Sequence, residues 1–190
     1  LVETDMEEIL LDKILDKCKN LHIIKKGTAQ RSDSTHILAS VRKMSRCEVV
    51  AETLRALLNE IAKISPDWLR SIAKDEWYDR YTRRIENYRL PQTQSGKDQY
   101  LQIVGEDSQY ILNKIYEDGS DEVQHLDKLG ALVLCFTRHF EIGEDDSVVV
   151  KSHKEVMSCD IKIESPYDID ARYRTKRDIS WIGYMTHFTE

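Results

Sequence analysis

The strongest constraint on this chain is a change of hydrophobic period. Val50, Leu54, Leu57, Ile61 and Ile64 recur in steps of three and four, which predicts a helix from Glu48 to about Ile64. Leu126, Leu129, Val133, Phe136 and Phe140 repeat the pattern and predict a helix from about Asp121 to Phe140. On either side the texture is that of strands. Gly27 to Arg42 is a short extended run of small and polar residues. Trp181 to Phe188 alternates, with Ile182, Tyr184, Thr186 and Phe188 on one side and Trp181, Gly183, Met185 and His187 on the other. A helical block set between strand regions is most simply an insertion into an α/β or α+β domain. The fold class expected is α+β and predominantly helical.

Local signals fill in the outline. Met6, Leu10 and Ile14 make residues 5–19 an amphipathic helix that Asn20 suits as a terminus. Ser65-Pro66 reads as an N-cap followed by proline at the first helical position, and Asp75 as a cap for the next helix. Trp77, Tyr81, Ile85 and Tyr88 form one stripe, read as core packing rather than base stacking. Leu90 to Lys97 is the clearest loop. Two shorter helices are expected over Asp98 to Val104 and Ser108 to Glu117, the second ended by Gly119. Gly130, inside the later helix, costs about 1 kcal/mol relative to alanine, which suggests a close packing contact there. Val148 to Val150 and Ile161 to Ile163 are strand-like, and Ser165 to Asp170 is a turn. The expected division is helix and linker over 1–26, the first strand over 27–45, a helical insertion over 46–142 and further strands over 143–190.

Composition excludes some functions. No apolar run approaches the roughly 18 residues of a membrane helix, so no membrane partner is expected and the location expected is cytoplasmic. Cys18, Cys47, Cys135 and Cys159 form no CxxC pair, and the histidines form no paired metal spacing. The net charge of −6 hides two basic patches, one around Asp33 and one at Arg172, Arg174, Lys176 and Arg177. Asp33 is flanked by Lys25, Lys26 and Arg31 before it and by Arg42, Lys43 and Arg46 after it. A carboxylate on a strand in a basic field suits a metal-dependent enzyme acting on a polyanion.

Three stretches together resemble one family. They are QRSDSTHILASVR (Gln30 to Arg42), ETLRALLNEIAKISPDWL (Glu52 to Leu69) and SPYDIDARYRTKRDISWIGYMTHFTE (Ser165 to Glu190). They look like the DDE-type transposases of bacterial insertion sequences, in the branch with D-S-T-H early and DPDARY…K…W-x-GYK-x-H-x-TE later. EWYDRY (Glu76 to Tyr81) and ENYRLP (Glu86 to Pro91) fit the same branch. The chain departs from it at Ile169, where proline is usual, and at Met185, where lysine is usual.

The resemblance implies a partial RNase H-like domain with a large helical insertion after its first strand. It also implies DNA transposition by phosphodiester hydrolysis and strand transfer. The first catalytic acid and metal ligand would be Asp33. The second and third acids of the family would fall beyond Glu190, so the chain is expected to be a fragment, inactive alone. Mg²⁺ or Mn²⁺ is the cofactor expected for the complete enzyme, because two such ions can activate the nucleophile and stabilise the leaving oxygen. The partner would be DNA at transposon ends, and an open sheet edge would invite self-association.

Arg31, Thr35, His36, Arg42, Arg172, Arg174, Lys176 and Arg177 are the candidate nucleic-acid contacts, with solvated charges or a satisfied polar pair as the plainer alternative. Asp168, Asp170 and Glu190 are weak metal candidates, since aspartates in turns commonly cap their own backbone. The alternative function is a non-catalytic DNA- or protein-interaction remnant of a mobile element. A stand-alone nuclease of RNase H type would need a carboxylate cluster within these residues.

Overall fold

The computed structural model describes residues 6–23, 32–176 and 178–189. The chain is α+β and mostly helical, and it divides into two compact units: 1–36 with 185–190, and 37–184. In the first unit, α1 (Met6–Asn20) leaves Ile9, Leu10, Leu11 and Ile14 exposed. Next in the chain is strand β1 (Ser32–Leu38), which ends in the second unit.

The second unit is built on α2 (Arg46–Ile64). Its entry is fixed by a capping box. The Ser45 amide donates to Glu48 Oε2 at 2.8 Å while Ser45 Oγ accepts from the Glu48 amide. Val50, Ala51, Leu54, Leu57 and Ile61 then form a fully buried face. That face packs along α5 (Gln94–Asp118) and α7 (Asp127–His139), where it meets Val104, Ile111, Ile115, Leu132 and Cys135. Between α2 and α5 come α3 (Pro66–Ile72), α4 (Asp75–Tyr81) and a 3₁₀ turn at Asn87–Arg89.

The proline sits at the first position of α3 as expected, but the Ser65 hydroxyl makes no cap bond. The Ser65 amide instead closes α2 by donating to the Ile61 carbonyl at 2.8 Å. Lys74, not Asp75, occupies the cap position of α4. Of the predicted stripe, Trp77, Tyr81 and Ile85 are core residues, whereas Tyr88 lies on the 3₁₀ turn and is exposed.

Three helix expectations change. The loop ends at Thr93, whose hydroxyl accepts from the Gly96 amide, so Gln94 to Lys97 is the first turn of α5. The two short helices are one continuous α5, which runs through Gly105, a position with no room for a side chain. A Cβ there would lie 2.6 Å from the Phe140 ring. The helix expected over Asp121 to Phe140 is broken at His125 into α6 (Asp121–Gln124) and α7. Gly130 has no neighbouring atom within 4 Å of an ideal Cβ, so close packing does not explain it.

After α7, β2 (Phe140–Ile142) and β3 (Val148–Val150) form an antiparallel hairpin, Phe140 opposite Val150. Its turn is held by the Gly143 amide on the Ser147 carbonyl, with Asp146 in the left-handed region. α8 (His153–Ser158) follows, closed at its start by a second capping box between Ser152 and Glu155. Ile161 to Ile163 is not a strand; Ile163 is a buried loop residue. β4 (Arg172–Lys176) and β5 (Ile179–Thr189) pair antiparallel, and the sheet order is β1-β5-β4.

Candidate functional site

Strand β1 carries the D-S-T-H residues. Arg31 lies outside the described residues, as do the side chains of Asp33 and His36. Thr35 is exposed on the strand. Downstream, the Ala39 amide donates to the Ile182 carbonyl at 2.9 Å, which ties the end of β1 to β5. The two backbones meet closely at Gly183. A Cβ there would lie 2.0 Å from the Ile37 carbonyl oxygen and 2.9 Å from the Ala39 nitrogen. Only glycine fits so close an approach. The glycine of the W-x-GY stretch is therefore what lets the early strand join the late one.

The basic residues near the C-terminus lie on a strand rather than in a loop. Arg172, Arg174 and Lys176 alternate along β4 and share one face, at intervals of roughly 6.6 Å. β4 is an edge strand of the sheet β1-β5-β4. Arg172 donates to the carbonyls of Ile169 and Ala171, which anchors the start of the row. Tyr173 belongs to the opposite face, and the Lys43 ammonium sits 4.8 Å above its ring. Tyr173 and Trp181 both read as core residues in the sequence; Trp181 is buried, whereas Tyr173 is exposed. Arg177 lies outside the described residues. Arg42 is engaged internally: it donates to Glu48 Oε1 at 2.5 Å and to the Ile85 carbonyl at 2.7 Å.

Sequence reasoning missed Glu52. This buried carboxylate accepts from Arg55 Nε at 2.9 Å and Nη2 at 2.8 Å, from the Ile85 amide at 3.0 Å and from the Tyr167 hydroxyl at 2.6 Å. Burial works to raise its pKa, but the hydrogen bonds from Arg55, Tyr167 and the Ile85 amide together hold it below the usual carboxylate value. Glu52 thus joins α2, the segment before ENYRLP and the SPYDID turn. The one signal in the sequence was the spacing of Glu52 and Arg55, three apart on a helix. The same turn reaches β5, since Asp168 Oδ1 accepts from the Ala171 amide at 3.0 Å and the Tyr184 hydroxyl at 2.5 Å. Asp168 caps its own turn, and Asp170 is exposed beside it.

A second buried carboxylate, Asp107, accepts from Lys74, Arg80 and Tyr81 at 3.2, 2.9 and 2.9 Å. It locks EWYDRY onto α5. Glu52 accepts four hydrogen bonds, two at each oxygen, and Asp107 accepts three, so both carboxylates are engaged within the fold. Among the described residues, no three histidine, cysteine or carboxylate side chains converge on a point that could hold a metal ion. Also among them, no helix is long and apolar enough to cross a membrane.

Comparisons with protein families, with curated proteins and with solved structures find no match to this chain.

Proposed function

We propose that the chain carries the first-acid strand and helical insertion of a DDE-type insertion-sequence transposase, and that it acts on DNA. The reading rests on the motif resemblance. Its one structural support is that the strand bearing D-S-T-H and the strand bearing W-x-GY are neighbours in one sheet, although the whole helical block separates them in sequence. Asp33 is the acid this reading assigns to chemistry. The row Arg172, Arg174 and Lys176 is the surface it assigns to backbone phosphates, contacts that position DNA without reading its sequence.

Binding of a labelled duplex to the 190-residue chain, followed by fluorescence anisotropy at low salt, tests this. The wild-type chain binds, and Arg174→Gln with Lys176→Glu weakens binding by about tenfold or more, with circular dichroism unchanged. Failure to bind DNA even at low salt sinks the DNA reading. Equal binding by wild type and variant removes β4 from the interface.

A second reading, a non-catalytic interaction remnant of a mobile element, is favoured by the exposed apolar residues of α1, which suit a protein contact. Loss of self-association or partner binding on Leu10→Glu, with DNA binding absent throughout, would select it.

A further inference from the structure

The N-terminal ends of α2 and α5 and the loop after β3 enclose a cleft of about 840 Å³. That lies within the roughly 300–1,000 Å³ in which small ligands are held. Its charged lining is Arg46, Lys97 and Lys151 against the single carboxylate of Asp98. In a chain of net charge −6, this cleft carries the opposite sign to the average.

The cations are held in place without being neutralised. Arg46 Nη2 donates to the carbonyls of His139 at 3.1 Å and Lys151 at 2.8 Å. Lys151 Nζ donates to the Thr137 carbonyl at 2.8 Å. Among the described residues, the Lys97 ammonium makes no hydrogen bond or ion pair. Carbonyl oxygens fix the geometry of these groups and supply no formal negative charge. Asp98 shares one oxygen with Gln94 Nε2 at 2.8 Å. Arg46 Nε is buried and has no hydrogen-bond partner, so backbone carbonyls satisfy the guanidinium only in part. Burial, the largest influence on Arg46, holds its pKa below the ordinary value, so the protein itself compensates this charge poorly.

We infer that this cleft binds a phosphate group, through Arg46, Lys97 and Lys151. Three cations against one carboxylate leave two positive charges, which match the roughly −1.5 to −2 of a phosphate monoester at neutral pH. A lone carboxylate ligand would leave that charge unmatched. Arg46, with Nη2 taken up by two backbone carbonyls, acts with the two lysines as a positive charge beside the phosphate. The ligand is a phosphorylated small molecule or the terminal phosphate of a nucleic acid strand. The inference is independent of the transposase reading.

Calorimetric titration of the 190-residue chain with inorganic phosphate, at matched low ionic strength against chloride, is the test. Saturable binding is expected, weakened about tenfold by Lys97→Gln and by Arg46→Gln. Lys97→Gln is the decisive variant because Arg46 also holds two backbone carbonyls. No saturable binding, or binding unchanged in folded Lys97→Gln, overturns the proposal. Competing ligands then identify the source. Displacement of phosphate by a nucleoside monophosphate, but not by a 5′-phosphorylated oligonucleotide, assigns a small molecule. Displacement by that oligonucleotide, but not by its 5′-hydroxyl form, assigns a strand end.

Discussion

At the scale of single residues, two glycines that look alike in sequence do opposite things. Gly183 sits where β1 and β5 approach too closely for any side chain. Gly130 sits in α7 with open space around it. Gly183→Ala is expected to cost about 1–3 kcal/mol through forced displacement of the strands. Gly130→Ala is expected to gain about 0.4–1 kcal/mol by restricting the unfolded chain. Urea unfolding of the two variants checks both signs.

His139 makes a separate prediction. Burial, then the neighbouring charges of Arg46, Arg138 and Lys151, push its pKa down to about 3. Unfolded, the imidazole takes up a proton near pH 6.5; folded, only near 3. The unfolded state therefore binds more protons in between, and stability falls as pH drops from 6.5, by at most about 1.4 kcal/mol per pH unit. His139→Asn should flatten the profile between pH 6.5 and 4.5. An unchanged slope would mean the ring protonates freely in the folded state. None of this was legible in sequence, because a histidine late in an amphipathic helix does not announce whether arginines will surround it.

At the scale of elements, the long apolar periods were legible and the breaks between them were not. α2 followed directly from Val50, Leu54, Leu57 and Ile61, because a face that regular has few other ways to be buried. α5 was hidden by Gly105, a helix-weakening residue that is retained because Phe140 and Val148 occupy the space beside it. β2 was hidden because Phe140 continues the helical spacing of α7 while its backbone has already become extended. The link between α2 and the SPYDID turn was hidden too, since it depends on a contact across most of the chain. Glu52→Ala should cost about 1–3 kcal/mol, because it leaves the buried Ile85 amide and the half-buried Arg55 guanidinium without their acceptor. Tyr167→Phe should cost about 0.5–1.5 kcal/mol, and the double variant should be clearly non-additive. Strict additivity in that cycle would show that turn and helix do not touch.

At the scale of the whole molecule, strands distant in sequence lie side by side in one sheet. The alternation of Trp181 to Phe188 made β5 readable. Its neighbours were not, because strand order is decided by partners rather than by period. β4 escaped notice for a related reason: Arg172 to Lys176 is charged on one face and reads as a solvated loop until its partner strand is known. The sheet order sets the strand carrying D-S-T-H beside the strand carrying W-x-GY. Residue-resolved amide hydrogen exchange at Ala39 tests the pairing most directly, because its N–H bonds the Ile182 carbonyl. Strong protection is expected in the wild-type chain and its loss in Gly183→Ala; exchange of the wild-type Ala39 amide at the rate of an open loop would mean that β1 and β5 are not joined there.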